Sequence, residues 1–183
     1  MDSSEYDHRI ASRFASFDQD GNGYISREDF HGAARAVLKE FGTAARSDCG
    51  QALYGGAEAF WQGMAGMADR DGDQRITREE FVHGAVKRLR DNPENFAELA
   101  RPFLRAAMAV AADSGNGGSG RVTANGTVSV TVDQAERLLE ALGVEEEARR
   151  SVARSLDADE DGKISEDEAL TAFAAYHTTP EPE

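Results

Sequence analysis

Asp157, Asp159, Asp161, Lys163, Ser165 and Glu168 occupy positions 1, 3, 5, 7, 9 and 12 of the stretch Asp-Ala-Asp-Glu-Asp-Gly-Lys-Ile-Ser-Glu-Asp-Glu. These groups offer oxygen and nothing softer. That is the ligand chemistry of a hard divalent cation, and Ca²⁺ takes roughly six to eight oxygens. Asp157, Asp159 and Asp161 alternate, so their short side chains converge inside one tight turn. Gly162 supplies the positive φ that the bend needs. Lys163 offers its backbone carbonyl. Ser165 caps the helix that follows and is placed to hold a bridging water. Glu168 falls in the first helical turn and can chelate with both oxygens. Ile164, at position 8, is set to pair with a second loop. A solvated acidic turn would require none of these coincidences.

The pattern recurs. Loop one carries Asp18, Asp20, Asn22, Tyr24, Ser26 and Asp29 at the same six positions, and loop two carries Asp69, Asp71, Asp73, Arg75, Thr77 and Glu80. Such a loop between two helices is the EF-hand. Repetition extends past the ligands: Arg27-Glu-Asp-Phe30 aligns with Arg78-Glu-Glu-Phe81, and His-Gly-Ala follows at His31 and at His83. One motif is used more than once. Two departures matter. Asp29 is one methylene shorter than glutamate, which predicts weaker Ca²⁺ binding or relatively better tolerance of Mg²⁺ in loop one. Gln74 stands where a glycine is expected, so a left-handed conformation there costs about 1 kcal/mol. Four carboxylates around a cation outweigh that.

The elements that position these loops follow from apolar spacing. Ser4–Phe17 reads as a helix with Ile10, Phe14 and Phe17 on one face. Arg27–Phe41 is the helix leaving loop one, with Gly42 as its C′ residue. A polar stretch from Thr43 to Gly50 precedes a helix over Gln51–Ala68, whose Trp61, Met64 and Met67 are spaced for core packing. The helix leaving loop two ends near Arg90. The stretch 94–112 is helical, and Pro102 within it predicts a kink or two abutting helices.

A third loop is expected next, and the pattern fails. From Asp113 to Gln134 the chain takes 22 residues instead of 12. Val130, Thr131 and Gln134 fit positions 8, 9 and 12, and Thr131 with Gln134 forms a capping box for the helix running to Leu142. Only Asp113 stands near the start, and neutral Gln replaces the final Glu. The segment 113–127 is rich in Gly, Ser and Asn and reads as a flexible insertion. The third hand is thus degenerate, kept for its helices. Gly143 ends its outgoing helix, and Glu145–Leu156 leads into loop four. Hands work in pairs through position 8, so Ile25 should meet Ile76, and Val130 should meet Ile164.

The expected fold is all-α: four EF-hands in two pairs packed as one compact body, with short loop–loop β contacts. Residues 1–92 form the first pair, 93–178 the second, and 179–183 a disordered tail.

The 183 residues carry a net charge of −14. Such a surface repels phosphates, so no nucleic-acid or anionic membrane partner is expected. The single Cys49 excludes an internal disulfide and fits a reducing cytosol. The polar, acidic residues 1–5 do not read as a signal peptide, and residue two is Asp rather than the Gly that myristoylation needs, so neither is expected. No apolar run is long enough for a bilayer. A cytoplasmic, monomeric protein is expected.

Other chemistry is poorly served. His8, His31, His83 and His177 are scattered and form no zinc spacing with Cys49. The glycines at 115–120 lead into no phosphate-binding Lys-Ser or Lys-Thr pair. No catalytic constellation stands out.

With four hands, a long first pair, the Asp29-Phe30 stretch, the Pro102 segment and one hand without ligands, the chain resembles calerythrin and its actinobacterial relatives, which belong with the sarcoplasmic calcium-binding proteins. The resemblance covers nearly the whole chain. It implies a compact all-α fold, three bound Ca²⁺ ions and a cytosolic buffering or signalling role. In calerythrin the second hand is the silent one; here the third has lost its ligands. The alternative role is a calmodulin-like sensor that exposes a hydrophobic surface to a target protein.

Overall fold

The computed structural model describes residues 11–86, 92–114 and 128–178. Expectations for residues 4–10, for the helix end near Arg90, for the body of the inserted loop (115–127) and for the tail 179–183 lie outside the described residues.

Helix α1 (residues 11–17) runs into loop one, strand β1 (Tyr24–Ile25) and helix α2 (Arg27–Glu40). The end of α2 is a Schellman turn. Gly42 has φ +63°, its N–H donates to the Lys39 carbonyl at 3.3 Å, and the Thr43 N–H donates to Leu38 at 2.9 Å. Helix α3 (Asp48–Ala68) follows, then β2 (Ile76–Thr77) and a single helical turn, α4 (Arg78–Glu80), which continues as the π-helical turn Phe81–Val86. Helix α5 (Pro93–Asp113), strand β3 (Ser129–Thr131), helices α6 (Val132–Ala141) and α7 (Glu146–Leu156), strand β4 (Lys163–Ser165) and helix α8 (Glu166–Thr178) complete the described chain.

The start of one helix, the course of a second and the winding of a third are decided by packing and caps. Helix α3 begins at Asp48, not Gln51, because the Ser47 hydroxyl accepts the Gly50 N–H at 3.1 Å and caps it earlier. Of the two arrangements expected at Pro102, the abutting pair is ruled out: α5 is one continuous helix, started by the Asn92 side chain on the Asn95 N–H with Pro93 in the first turn. A proline forfeits one backbone donor, and packing against α3 compensates. The Pro102 carbonyl lies 2.7 Å from where a Cβ on Gly56 would stand, so the two backbones meet there. The helix leaving loop two is π-helical rather than plain α. Gly84 is its tight point, with the Ala68 Cα and the Met67 carbonyl oxygen each 2.7 Å from a would-be Cβ.

The two short ribbons pair as expected. Ile25 faces Ile76 and Val130 faces Ile164, both antiparallel. All four side chains are buried. An aromatic cluster joins the hands. Phe17 packs against Phe30, Phe60, Phe81 and Phe96 with ring centroids 6.0–6.3 Å apart. Phe60 also meets Phe103 at 6.4 Å and Phe173 at 6.1 Å. Trp61 and Met64 belong to the same core.

Candidate metal centres

The three complete loops share one backbone shape. Positions 4 and 6 have positive φ in each: Gly21 (+69°) and Gly23 (+92°), Gly72 (+76°) and Gln74 (+65°), Glu160 (+59°) and Gly162 (+84°). Gln74 is therefore left-handed, as its position demanded. The requirement at position 4 escapes a reading of the ligand pattern alone, and Glu160 meets it without a glycine.

They also share one hydrogen-bond framework. The position-1 carboxylate accepts the N–H of position 6: Asp18 from Gly23 (2.9 Å), Asp69 from Gln74 (3.1 Å), Asp157 from Gly162 (3.0 Å). The position-3 carboxylate accepts the N–H of position 5: Asp20 from Asn22 (3.0 Å), Asp71 from Asp73 (3.2 Å), Asp159 from Asp161 (3.1 Å). The position-5 side chain accepts the N–H of position 7, with Tyr24 donating to Asn22, Arg75 to Asp73 and Lys163 to Asp161. The position-12 carboxylate accepts from positions 2 and 9. For Asp29 the donors are Gln19 and Ser26, for Glu80 Arg70 and Thr77, for Glu168 Ala158 and Ser165. These bonds turn the acids inward and leave further lone pairs for a cation.

Asp29 makes the same two bonds as the longer glutamates, at 2.9 and 2.7 Å. It manages this by being drawn in: only 2% of it is exposed. The shorter carboxylate therefore reaches the same two donors from a buried position.

The acids brought together are Asp18, Asp20 and Asp29; Asp69, Asp71 and Asp73; and Asp157, Asp159 and Glu168. Within each trio, one oxygen per residue lies within 4.8 Å of the others. Calcium–oxygen distances are about 2.3–2.6 Å, so ligands on opposite sides of one ion stand about that far apart. Glu80 and Asp161 fall outside their trios. Glu80 rests on the Thr77 hydroxyl, at 2.8 Å, as well as on backbone donors. A donor set made only of oxygen fits a hard cation and excludes the soft-ligand chemistry of zinc thiolate sites. A second observation agrees: the Asp157 Oδ1 atom is buried with no hydrogen-bond partner. A buried carboxylate oxygen without a donor is costly unless a cation takes it.

Charge is held ready at Glu80 and Glu168. The Thr77 backbone N–H above all keeps the Glu80 carboxyl below the ordinary glutamate range, with its hydroxyl and the Arg70 and Asp71 N–H groups adding to it against burial. The Ser165 backbone N–H and hydroxyl do the same for Glu168.

The position-7 residues adjoin the ribbons. Tyr24 opens β1, Lys163 opens β4, and Arg75 immediately precedes β2. The Arg75 guanidinium lies 4.5 Å from the Tyr24 ring centroid, tying loop one to loop two. The third hand keeps the capping box, with Thr131 N–H on Gln134 at 2.9 Å and Gln134 N–H on Thr131 at 3.2 Å. Among the described residues it gathers no acidic trio. Sequence reasoning missed Glu166, a buried acid held by Arg101 at 3.0 Å and Arg105 at 3.7 Å. Only its place beside Glu168 hinted at it.

No described helix is long and apolar enough to cross a membrane. A family model described as an EF-hand domain pair matches residues 7–86, and one described as an EF hand matches 154–168. Calerythrin of Saccharopolyspora erythraea is 25% identical over 170 residues, 92% of this chain and 90% of that protein. A calcium-binding protein of Streptomyces coelicolor, whose structure is reported as the basis for prokaryotic calcium-mediated regulation, is 62% identical. The match covers 96% of this chain and 99% of that one, with a TM-score of 0.86. Calcium-loaded apo-aequorin from Aequorea victoria shares the fold at 21% identity and a TM-score of 0.69, over 98% of this chain and 94% of that one. With its three acidic loops, paired ribbons and near full-length match to the Streptomyces protein, the chain belongs to the calerythrin-like family of EF-hand calcium-binding proteins.

Proposed function

We propose that the chain is a cytoplasmic calcium buffer or calcium-signalling modulator that binds three Ca²⁺ ions and performs no catalysis. The observation that carries this is the hydrogen-bond framework repeated in loops one, two and four, with no acidic trio in the third hand among the described residues. Asp18, Asp20, Asn22, Asp29, Asp69, Asp71, Asp73, Glu80, Asp157, Asp159, Asp161 and Glu168 supply side-chain oxygens. Tyr24, Arg75 and Lys163 supply carbonyls, and Ser26, Thr77 and Ser165 serve position 9. Bound Ca²⁺ would neutralise acids that otherwise repel one another, coupling ion binding to folding. Mg²⁺ competes best in loop one, where the shorter Asp29 carboxylate suits a smaller ion. The division into pairs at 1–92 and 93–178 and the monomeric state belong to the same reading.

The packing favours a closed molecule. Arg137 on α6 bonds the Glu40 carboxylate and carbonyl, each at 2.8 Å, and stacks on Phe41, covering the end of α2. The alternative is a sensor that engages a target protein. Half-buried Leu139, Leu142 and Leu156 at the edge of the core speak for it, as does the regulatory role reported for the Streptomyces relative.

Calorimetric calcium titration of decalcified protein at millimolar Mg²⁺ tests the reading. Three sites are expected, with one lost in Glu80→Gln and another in Glu168→Gln. No binding at any calcium level would overturn it, and four sites would overturn the silent third hand. An unchanged hydrophobic-dye signal on adding calcium supports the buffer; a calcium-dependent rise supports the sensor.

A further inference from the structure

In the third hand the terminal position carries a neutral amide, and that amide makes a bond no carboxylate could. Gln134 Oε1 accepts the Thr131 N–H at 2.9 Å, as Glu80 and Glu168 accept from Thr77 and Ser165. Its Nε2 donates to the Ala111 carbonyl at 2.9 Å, across 23 residues of sequence. Ala111 lies in the last turn of α5, where helix carbonyls lack intrahelical partners. The Ser114 hydroxyl takes the same oxygen at 2.8 Å. One side chain thus fastens the start of the hand's outgoing helix to the end of its incoming helix. In the other hands a cation at the loop would join those two elements.

The clamp sits directly beside β3. Val130 of β3 pairs with Ile164 of β4, and the adjoining Val128 carbonyl accepts the Glu166 N–H at 3.1 Å. Glu166 starts α8, two residues before Glu168. We infer that Gln134 is a positioning residue for loop four: it holds the third hand closed without an ion, so that β3 presents β4 and the start of α8 in the binding geometry. This rests on the reading of loop four as a calcium site.

The test uses the full chain with Gln134→Glu and Gln134→Met. The first keeps the acceptor toward Thr131 and sets an oxygen against the Ala111 carbonyl; the second keeps the volume and removes both bonds. Calorimetric calcium titration assigns loop four as the site lost in Glu168→Gln, and amide exchange is followed in calcium-free protein. Loop-four affinity is expected to fall about tenfold in both variants, the size of one hydrogen bond with a partner left unpaired. Loops one and two should stay within twofold. Exchange should quicken more at β3 and β4 than at β1 and β2. Loop-four affinity within twofold of the parent with unaltered exchange would overturn the inference. So would equal weakening at all sites, or a fourth ion bound by Gln134→Glu. Failure of the parent to bind calcium would instead overturn the functional reading, and exchange in the calcium-free variants would still judge the clamp.

Discussion

At the residue scale, each loop is decided by which side chains tolerate the backbone a cation needs. Gln74 adopts φ +65° where its counterparts Gly23 and Gly162 do so freely. Relief of a left-handed non-glycine is worth about 1–2 kcal/mol. Glycine returns about 0.4–1 kcal/mol of that as unfolded-chain entropy. Gln74→Gly is therefore expected to raise the stability of the calcium-loaded protein by up to about 1.6 kcal/mol in denaturant unfolding; a loss of stability would contradict the strain. Position 12 makes a prediction about acid. Backbone donors depress Glu80 and Glu168 in the folded protein, whereas an unfolded glutamate titrates near about 4.3. Their contribution is thus complete above that pH and is lost as pH falls through the depressed folded values. Carboxyl titrations of calcium-free protein by NMR should place both midpoints below about 4.3. Values at or above it would show that the bonds do not form without the ion.

At the element scale, the same tripeptide acquires different surroundings. His31 in α2 approaches Glu58 at 3.4 Å and meets the Tyr54 ring edge-on, and Gly32 faces open space. In the π-helical turn the His83 Nδ1 lies 2.8 Å from the Glu79 carbonyl, and Gly84 abuts the end of α3. Repetition in sequence identified the motif but not its packing. The crossing of α3 and α5 depends on Gly56, whose added Cβ would stand 2.7–2.8 Å from Pro102 and Phe103 backbone atoms. Alanine gains about 1 kcal/mol of helix propensity over glycine, but overpacking against backbone costs about 1–3 kcal/mol or more. Gly56→Ala is expected to destabilise by about 1–2 kcal/mol in denaturant unfolding. A stabilised variant would show that the helices separate easily.

At the scale of the whole molecule, the aromatic cluster makes the hands one body. Phe60 on α3 touches Phe17 and Phe30 on one side and Phe96, Phe103 and Phe173 on the other. Truncating a buried phenylalanine costs about 3–5 kcal/mol. Phe60→Ala should lower stability by that amount in one transition, with amide protection falling at both ribbons together. Loss of protection at only one ribbon would show two independent halves. The Arg137 contacts with Glu40 and Phe41 add to this union, but as a partly exposed pair they are worth only about 1 kcal/mol or less.

The sequence by itself determined the loops, because cation ligation is local. Twelve consecutive residues contain the oxygens, the left-handed turn and the cap, so Asp18, Asp69 and Asp157 could be placed without coordinates, and so could the Ile25–Ile76 and Val130–Ile164 partners. What only the tertiary structure decided depends on contacts distant in the chain. The continuity of α5 through Pro102, the π-helical turn at Gly84, the burial of Glu166 under Arg101 and the bond from Gln134 to Ala111 each turn on a neighbour supplied by another helix. Spacing within a segment carries no record of what will be packed against it, and there the choice between strain, burial and hydrogen bonding is made.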